Sequence, residues 1–550
     1  MKAAAAILVA AAALAGAGTA DAARFAVGFA EGTEPATLAA ALERATAGKV
    51  TYGLADLGAL TLTAASAHGV RRLPGVAYVE RLDRARRPAF APSDPLAPRQ
   101  WYLAKIRAFD AWAEQPPLAG PLVAIIDSGI DGDHPEFKDK IVASRSFVGG
   151  KATVDELGHG TFVAGIVAAR QNAQGIAGIA WPADLLVAKV VGPDRTISLE
   201  AEVKAIRWAV DRGARVLNMS LGGIRNPRNP EEDTFSPLEA AAIDYAYARG
   251  AVIVAAVGNA DQAPRRPWTW ANYPAALPHV IGVSAVSRDG SVPSFSHRDR
   301  IYNDVAAPGT EMLSTFPRPL TAARPQCANQ GYSDCGPEEY RRAEGTSFAA
   351  PQVSAAAALL LSVRPDLVPS QVMALLTRSA VDANASTGCS VCPLLRDQYT
   401  GFGVLDVTAA LTQALSGPLP RADVLEPNDD AGAKARTVAG RQGSVRATLD
   451  YWDDQSDVYR VRLFPGQRLF VNVNGPPGTR VYLWRPGTSG IDKLAVLASR
   501  RRVAQSAQQG ANQRFSYRVP VKRGGFYFVH VKLEAEGGGP YSLSFAKSPR

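Results

Sequence analysis

Ser347 lies in a heptapeptide whose residue types suit nucleophilic chemistry. Residues 345–351 read G-T-S-F-A-A-P, and a long apolar helical pattern follows from Ser354. At a helix N-terminus the backbone N–H groups have no partner within the helix, so they can stabilise the negative charge that develops on an attacked carbonyl oxygen. Serines before apolar helices are also common N-caps, and this segment alone leaves both interpretations open.

Two other segments contain the partners that a serine nucleophile needs. Residues 121–130 read P-L-V-A-I-I-D-S-G-I, which predicts a buried parallel strand with Asp127 at its carboxyl end. Residues 158–169 read G-H-G-T-F-V-A-G-I-V-A-A, which predicts a helix of small residues that starts near His159. An imidazole can take the proton of a hydroxyl while a carboxylate fixes its tautomer. Asp127, His159 and Ser347 are therefore predicted to form a catalytic triad.

The three segments resemble those of the subtilisin-like serine proteases, the subtilase family (peptidase S8). D-S-G, H-G-T-x-V-A-G and G-T-S-x-A-x-P occur here in that family's order. Residues 255–259 agree, because they read A-A-V-G-N after an apolar run, and the resemblance makes Asn259 the side-chain donor of an oxyanion hole. It implies a monomeric serine endopeptidase that cleaves protein or peptide substrates through an acyl-enzyme.

The resemblance also implies where a substrate binds. Ser220, Leu221, Gly222 and Gly223 resemble the segment that pairs with an extended substrate backbone and lines the specificity pocket. Gly258, next to the oxyanion candidate, is assigned to the same surface. An ordinary strand-to-loop turn would look similar at residues 220–223, so the structural interpretation remains an alternative.

Asn272 falls where the resemblance places the floor of the first specificity pocket, a position commonly occupied by glycine in the family. A larger polar residue there could narrow the pocket or form part of its rim. The sequence therefore leaves the cleavage preference open.

A structural calcium ion is a further implication of the resemblance. Asp94, Glu136 and Asn172 match positions that supply oxygen ligands in related enzymes, and calcium prefers oxygen ligands. Glu136 stands where aspartate is usual. Acidic residues near turns are mostly just solvated, so a solvated cluster is the alternative.

The apolar runs around these residues predict the elements that position them. Strand-like runs alternate with helical patterns, which is typical of a doubly wound, mainly parallel α/β sheet. The strand-like runs cover residues 122–126, 185–191, 216–219, 251–257 and 280–286, and the helical patterns cover residues 199–212 and 237–249. Asp127, Ser220 and Asn259 lie at or just past carboxyl ends of such strands, where ligands bind in these folds.

The N-terminal region predicts an exported zymogen. Residues 1–22 combine Lys2, an apolar run and a small-x-small ending, as in a secretory signal peptide, which predicts an extracellular or periplasmic protein. Residues 23–93 alternate short strands and helices, which predicts a small α+β unit. This unit resembles the inhibitory propeptide of the subtilases, so the enzyme's own propeptide is an expected partner.

The C-terminal region differs from the predicted catalytic domain, residues 94–416. Residues 417–430 are rich in turn formers and read as a linker. Residues 431–550 contain several short alternating strands, which predict a β-sandwich. E-P-N-D within the linker, Asp457 with Tyr459 and the closing Y-S-L-S resemble the pre-peptidase C-terminal domain of secreted bacterial proteases. Substrate or matrix binding, help in secretion and simple stabilisation all remain open for it.

Composition argues against a nucleic-acid partner and a membrane span. The net charge of +9 over 550 residues is not concentrated in one tract, which indicates a solvated basic surface and no nucleic-acid partner. After the signal segment no stretch approaches about 18 apolar residues, so no membrane span is expected.

The even set of four cysteines in an exported chain favours disulfides over zinc ligands. Of the possible pairings we favour the two local ones, Cys327 with Cys335 and Cys389 with Cys392.

The sequence disfavours three alternatives to a protease. A non-catalytic binding protein on the same scaffold, with recognition by the C-terminal region, is disfavoured because all four catalytic groups are present. The serine-carboxyl peptidases use glutamate and aspartate where this chain has His159 and Asn259. A lipase-like hydrolase is disfavoured because the glycine expected two positions after the serine is Ala349 here.

Overall fold

The N-terminal unit is a small antiparallel sheet with one helix. The computed structural model describes residues 23–549 except 31, 68, 83–89, 91, 115–119, 265, 324–338, 418, 420–424, 427, 453, 489, 492–500 and 507–511, so the predicted signal peptide lies outside the described residues. The chain divides into two compact units, Met1–Pro88 and Ala89–Arg550.

In the first unit four strands pair in the order β2-β3-β1-β4. Its elements are β1 (Ala23–Phe29), α1 (Pro35–Thr46), β2 (Lys49–Thr51), β3 (Ala59–Ala64) and β4 (Val76–Arg81). Leu38 and Leu42 lie one turn apart on α1 and pack with Val27, Leu60 and Leu62 of the sheet. This is a small α+β architecture, and the inhibitory role remains a prediction.

The second unit contains a seven-stranded parallel sheet with the order β11-β10-β9-β8-β5-β7-β6. Its strands are β5 (Leu122–Asp127), β6 (Ile141–Ser146), β7 (Asp184–Lys189), β8 (Val216–Met219), β9 (Val252–Ala256), β10 (Val280–Val286) and β11 (Val305–Pro308). From β5 the chain crosses to the edge strand β6, returns to β7 beside β5, and then continues on the other side of β5 from β8 to β11. This doubly wound order creates a crevice at the carboxyl ends of the central strands.

Helices cover both faces of this sheet. The helices are α2 (Trp101–Lys105), α3 (Ala108–Glu114), α4 (His159–Ala168), α5 (Leu199–Asp211), α6 (Pro237–Tyr247), α7 (Arg318–Ala323), α8 (Thr346–Val363), α9 (Pro369–Arg378) and α10 (Val407–Ser416). Side chains of α4 and α8 pack in the hydrophobic cluster on one face, and those of α5 and α6 pack in the cluster on the other. The central strands are therefore buried on both sides, as their continuous apolar runs predict.

Helix α8 crosses the middle of this fold. It is the one helix among the described residues that is long and apolar enough to cross a membrane, with a mean hydropathy of 1.4, and 83% of that stretch is buried inside the protein. A short antiparallel pair, β12 (Met312–Thr315) with β13 (Tyr340–Ala343), lies shortly before it in the chain.

Two further sheets form the C-terminal β region, residues 436–547. Its strands are β14 (Arg436–Val438), β15 (Gln442–Asp450), β16 (Ser456–Leu463), β17 (Arg468–Asn474), β18 (Thr479–Trp484), β19 (Arg502–Gln505), β20 (Asn512–Arg518), β21 (Gly525–Leu533) and β22 (Gly538–Lys547). They pair in the orders β14-β16-β21-β18-β19 and β15-β22-β17-β20. Inward side chains of both sheets share one hydrophobic cluster, so the sheets pack face to face.

The C-terminal β region contacts the α/β region directly. Arg378 at the end of α9 forms an ion pair with Asp450, and its guanidinium lies over the ring of Trp452, 4.4 Å from the centroid. Lys434, two residues before β14, pairs with Asp244 on α6 at 3.0 Å. These contacts explain why both regions belong to one compact unit.

The structure describes one of the two expected disulfides. Cys389 and Cys392 are bonded, with their Cα atoms 5.4 Å apart, and both side chains are buried. This confirms one of the two local pairs. The other expected pair, Cys327 with Cys335, lies outside the described residues.

Candidate active site

Asp127 and His159 meet at the crevice of the parallel sheet. Asp127 ends β5, and His159 is the first residue of α4. The imidazole Nδ1 and the carboxylate Oδ1 are 2.8 Å apart, and Asp127 is only 1% exposed. Gly160 permits this approach, because a Cβ there would lie 2.1 Å from the carbonyl oxygen of Gly129.

The pKa of His159 depends on this carboxylate. Burial disfavours the charged imidazole, but the negative charge of Asp127, its hydrogen bond and the charge of Asp155 together outweigh burial. The pKa of His159 is therefore raised above its usual 6.5. The imidazole can accept a proton near neutral pH and is stabilised once it is charged.

Asp155 is a site residue that the sequence analysis missed. Its buried carboxylate accepts hydrogen bonds of 2.6–3.1 Å from the groups around the start of α4: the backbone N–H groups of Leu157, Gly158 and Thr161 and the hydroxyls of Thr161 and Ser128. These bonds hold the loop that precedes His159. The only signal in the sequence is an acid four residues before the histidine, and loop acids are usually solvated.

Ser347 lies in the first turn of α8. Gly345 before it has a φ of 147°, a backbone conformation that favours glycine. Pro351 has no N–H to bond the carbonyl of Ser347 in the helix, and that carbonyl instead accepts the hydroxyl of Ser220 at 2.7 Å. The Ser347 hydroxyl lies 3.4 Å from the carbonyl oxygen of Ser220. The end of β8 thus anchors the backbone of the candidate nucleophile.

A buried polar chain supports this anchor. The side-chain amide of Asn218 on β8 donates to the Ser220 hydroxyl at 2.9 Å and accepts from Ser354, two turns along α8, at 2.8 Å. Asn218 and Ser354 are both fully buried. The bond from Ser354 and the bond from Ser220 to the Ser347 carbonyl both join α8 to β8 and its end, so this chain sets the depth at which Ser347 lies above the sheet.

The amide of Asn259 lies beside Ser347 with a defined orientation. Asn259 follows β9, and its Oδ1 accepts from the N–H of Thr346 at 3.0 Å and from the Thr346 hydroxyl at 2.9 Å. Two donors identify that end of the amide as the oxygen. Its NH₂ group is therefore on the opposite side and can donate to an oxyanion.

The candidate residues share one cleft of about 530 Å³. It is lined by Asp127, His159, Ser347, Asn259 and four of the five predicted substrate residues, Ser220, Leu221, Gly222 and Gly258. Gly223 is not in this lining, and its backbone exchanges two hydrogen bonds of 2.9 Å with Tyr273. Within the described residues, the backbone N–H and C=O groups of Leu221 and Gly222 form no hydrogen bonds. They are the part of this segment that can pair with a peptide.

Asn272 also lines the cleft. It is 2% exposed, and its side-chain Oδ1 has no hydrogen-bond partner among the described residues. Gly258, with a φ of 105°, runs past it so closely that a Cβ there would lie 2.6 Å from the Asn272 Nδ2. A buried polar amide thus lines the cleft beside the segment that carries Asn259.

Asp94, Glu136 and Asn172 come together away from this cleft. The backbone N–H of Asn172 donates to Asp94 at 2.9 Å, and its side chain donates to Glu136 at 3.3 Å. Asp94 Oδ2 is buried without a hydrogen-bond partner among the described residues. Burial raises the pKa of Asp94 and raises that of Glu136 to about 7. Two buried carboxylates and an unpaired oxygen fit a hard cation such as calcium.

Comparisons with known proteins agree with this geometry. Residues 119–403 match the model of the subtilase family. Subtilisin DY of Bacillus licheniformis is 36% identical over 289 residues, which are 52% of this chain and 89% of the relative. Thermitase of Thermoactinomyces vulgaris is 34% identical over 50% of this chain and 86% of its own length. The major intracellular serine protease of Bacillus subtilis (strain 168) is also 34% identical, over 50% of this chain and 80% of its own length.

A solved structure described as proteases from Pseudoalteromonas arctica PAMC 21717 aligns over 59% of this chain and all of its own, with 25% identity and a TM-score of 0.48. The family model covers more than half of the 550 residues, and the relatives are covered over most of their length. The chain therefore belongs to the subtilase family and is a serine-type endopeptidase.

Proposed function

We propose that this enzyme is a secreted subtilase, made as a zymogen, whose catalytic residues are Asp127, His159 and Ser347. The observation that carries the proposal is the 2.8 Å contact between the imidazole and the Asp127 carboxylate, in a cleft that also contains the Ser347 hydroxyl. Asn259 and the backbone N–H of Ser347 are the proposed oxyanion donors. Leu221 and Gly222 are the proposed partners of the substrate backbone.

The proposed mechanism assigns one task to each group. The Ser347 hydroxyl attacks the peptide carbonyl while His159 accepts its proton, and Asp127 holds the imidazole tautomer and stabilises the imidazolium. The oxyanion receives hydrogen bonds from Asn259 and from the Ser347 N–H. His159 then protonates the departing amine, and water cleaves the acyl-enzyme by the reverse sequence of proton transfers.

The direct test is labelling with a serine-directed phosphonate. We expect one adduct per chain, located on Ser347 by peptide mass spectrometry, and loss of casein hydrolysis in proportion to labelling. Acid should slow the labelling, because a protonated His159 cannot accept the serine proton. Labelling at another serine with parallel loss of activity would contradict the assignment.

Changing Asn259 to aspartate is a selective test of the oxyanion donor. Aspartate keeps an oxygen for the two Thr346 donors but loses the NH₂ group and adds a negative charge. We expect kcat for a peptide substrate to fall by about 10²- to 10³-fold or more with little change in KM. The melting temperature should stay close to the original. An unchanged kcat in a folded variant would remove Asn259 from the proposed mechanism.

Asn272 is proposed to restrict the residue on the acyl side of the scissile bond. Its buried amide lines the cleft, so large side chains should be excluded. Changing Asn272 to glycine should raise kcat/KM for a phenylalanine substrate relative to an alanine substrate by about tenfold or more. Matched peptide nitroanilides measure this ratio. A ratio equal to that of the unchanged enzyme would show that Asn272 does not limit the pocket.

Calcium binding by Asp94, Glu136 and Asn172 is proposed as a stabilising feature. When a cation binds only to the folded state and its free concentration is about 100 times its Kd, it adds roughly 2.7 kcal/mol to the free energy of unfolding. We expect calcium to raise the melting temperature and Asp94→Asn to abolish that response. Asp139→Asn, at an exposed acid whose side chain is 78% accessible, is the control and should keep it. An equal calcium response in both variants would contradict the site.

Secretion and zymogen processing rest on the order of the proposed domains. These are the signal peptide at residues 1–22, a propeptide at 23–93, the catalytic domain at 94–416, a linker at 417–430 and a C-terminal domain at 431–550. The separate compact unit Met1–Pro88 supports an independent propeptide. N-terminal sequencing of the protein from culture medium should locate a start near residue 94. A mature chain that begins at Ala23 would contradict the zymogen.

A further inference from the structure

The outer face of the sheet β15-β22-β17-β20 is polar, basic and concave. Its outward side chains follow the alternation of the strands, since the inward neighbours lie in the shared core. A shallow concavity of about 920 Å³ opens on this face, and Phe470, Asn472, Arg514 and Ser544 are among its lining residues. Phe470 is 47% exposed, so its ring is accessible on this face.

The charge on this face is of one sign. Arg446, Arg468, Arg514 and Arg518 point outward and are exposed. Among the outward strand positions the one acid is Asp450, and it is already paired with Arg378 of α9. The described residues show no ion pair for the four arginines, so the face presents uncompensated positive charge.

Two of these arginines are direct cross-strand neighbours. Arg468 on β17 is directly opposite Arg518 on β20. Directly opposed residues have Cβ atoms about 5 Å apart, and like charges in such pairs are destabilising. An anion bound between them would remove this repulsion and accept hydrogen bonds from both guanidinium groups.

The positions between the arginines indicate what kind of anion fits. Nine outward side chains carry a hydroxyl or carboxamide: Gln442, Ser444, Thr448, Asn472, Asn474, Asn512, Ser516, Ser542 and Ser544. Cross-strand pairing places Ser444, Ser544, Asn472 and Arg514 in one row across the four strands. Such rows suit a polymer that carries many hydroxyl groups and fewer negative charges than hydroxyl groups.

We propose that this face binds an acidic polysaccharide of the polyuronate type. Uronate residues keep their ring hydroxyls for the serine and asparagine side chains, and their carboxylates match the arginines. The apolar side of a sugar ring can pack on Phe470. An acidic peptide would supply carboxylates but few hydroxyls. Single-stranded nucleic acid prefers several aromatic stacking platforms, and this face has one exposed ring.

The occupied face would hold the protease on a matrix that contains such a polymer. Arg446 and Arg514 lie on the two edge strands, three strand spacings or about 14 Å apart across the sheet. One chain segment crossing the strands can therefore meet charges at both edges. The cleft with Ser347 is built by other elements, so this binding is separate from the proposed catalysis.

The test measures binding of polygalacturonate to the full chain carrying Ser347→Ala, which prevents digestion of peptide probes. The double change Arg468→Gln with Arg518→Gln should raise the Kd by about tenfold or more, since two charge-assisted contacts are lost. The control, Arg460→Gln with Arg462→Gln on β16 of the other sheet, removes the same charge and should leave the Kd nearly unchanged. Neither double change should lower casein hydrolysis when Ser347 is present.

Further probes separate the classes of partner. Neutral dextran should bind far more weakly than polygalacturonate. Phe470→Ala should weaken the binding of polygalacturonate but not the binding of poly-L-glutamate. An equal loss of affinity for polygalacturonate in both arginine double variants would mean that only net charge matters, and it would overturn the proposal. Tighter binding of poly-L-glutamate or oligo-dT, or no binding of polygalacturonate, would also overturn it. The melting temperature of the Arg468/Arg518 variant should not fall, because the change relieves repulsion.

Discussion

Replacing Ser347 with alanine is expected to lower kcat for a peptide substrate by about 10⁶-fold, the loss typical when a triad nucleophile is removed. In the proposed mechanism the Ser347 hydroxyl forms the acyl-enzyme, and neither His159 nor Asp127 can replace it. A residual acceleration of about 10³- to 10⁴-fold over water should remain, because the proposed oxyanion donors and the proposed substrate-binding segment are unaltered. A fluorogenic peptide at saturating concentration measures both quantities.

The structure indicates that this variant folds normally. The backbone carbonyl of Ser347, which alanine retains, accepts the 2.7 Å hydrogen bond from Ser220, whereas its hydroxyl makes a longer contact of 3.4 Å. We therefore expect an unchanged melting temperature. Ser362→Ala is the matched control, because Ser362 lies on α8 about 22 Å along the axis from Ser347. Activity within a few fold of the original in folded Ser347→Ala would place the nucleophile elsewhere.

Much of the α/β fold could be predicted from local patterns. Strands β8 and β10 have the predicted bounds, Val216–Met219 and Val280–Val286, because both are short apolar runs bounded by polar residues. Strand β6 was not predicted, because its residues alternate in burial at the edge of the sheet and include Arg145. The order of the strands depends on contacts between distant segments, which no local pattern contains.

The candidate site also contains residues that local sequence patterns identify and residues that depend on contacts between distant segments. Single residues in distinctive motifs, such as His159 and Asn259, could be singled out because their neighbours restrict the chemistry. Asp155 could not, since its role depends on a loop that folds back to place five donors around one carboxylate. The two bonds between Gly223 and Tyr273 likewise join segments 50 residues apart in the sequence. Such pairings depend on tertiary structure.

Changing Asp127 to asparagine is expected to lower kcat by about 10⁴-fold without unfolding the protein. Asp127 Oδ1 accepts from the backbone N–H of Ser128 at 2.7 Å and lies 2.8 Å from the imidazole Nδ1, so an asparagine oxygen in that position can keep both contacts. That oxygen carries no negative charge, so it cannot stabilise the imidazolium that forms when His159 accepts the serine proton. A buried charge is also removed, so stability should not fall.

The pH dependence of this variant tests how the charge of Asp127 acts on His159. His159 must be neutral to accept a proton, and its pKa is raised above 6.5 in the unchanged enzyme, so kcat/KM should fall as the pH drops through that raised value. Without the carboxylate the lowering effect of burial remains, and only Asp155 opposes it. The acidic limb of the profile should therefore move to lower pH in Asp127→Asn, although the maximum is far smaller.

Asp133→Asn provides the comparison, because Asp133 is an exposed acid six residues further along the chain. It should retain both the maximum and the acidic limb of the unchanged enzyme. A profile of Asp127→Asn that is reduced in height but keeps the same acidic limb would mean that Asp127 assists the reaction without raising the pKa of His159. An unchanged height would mean that the contact between Asp127 and His159 has no catalytic role, and the triad would then have to be abandoned.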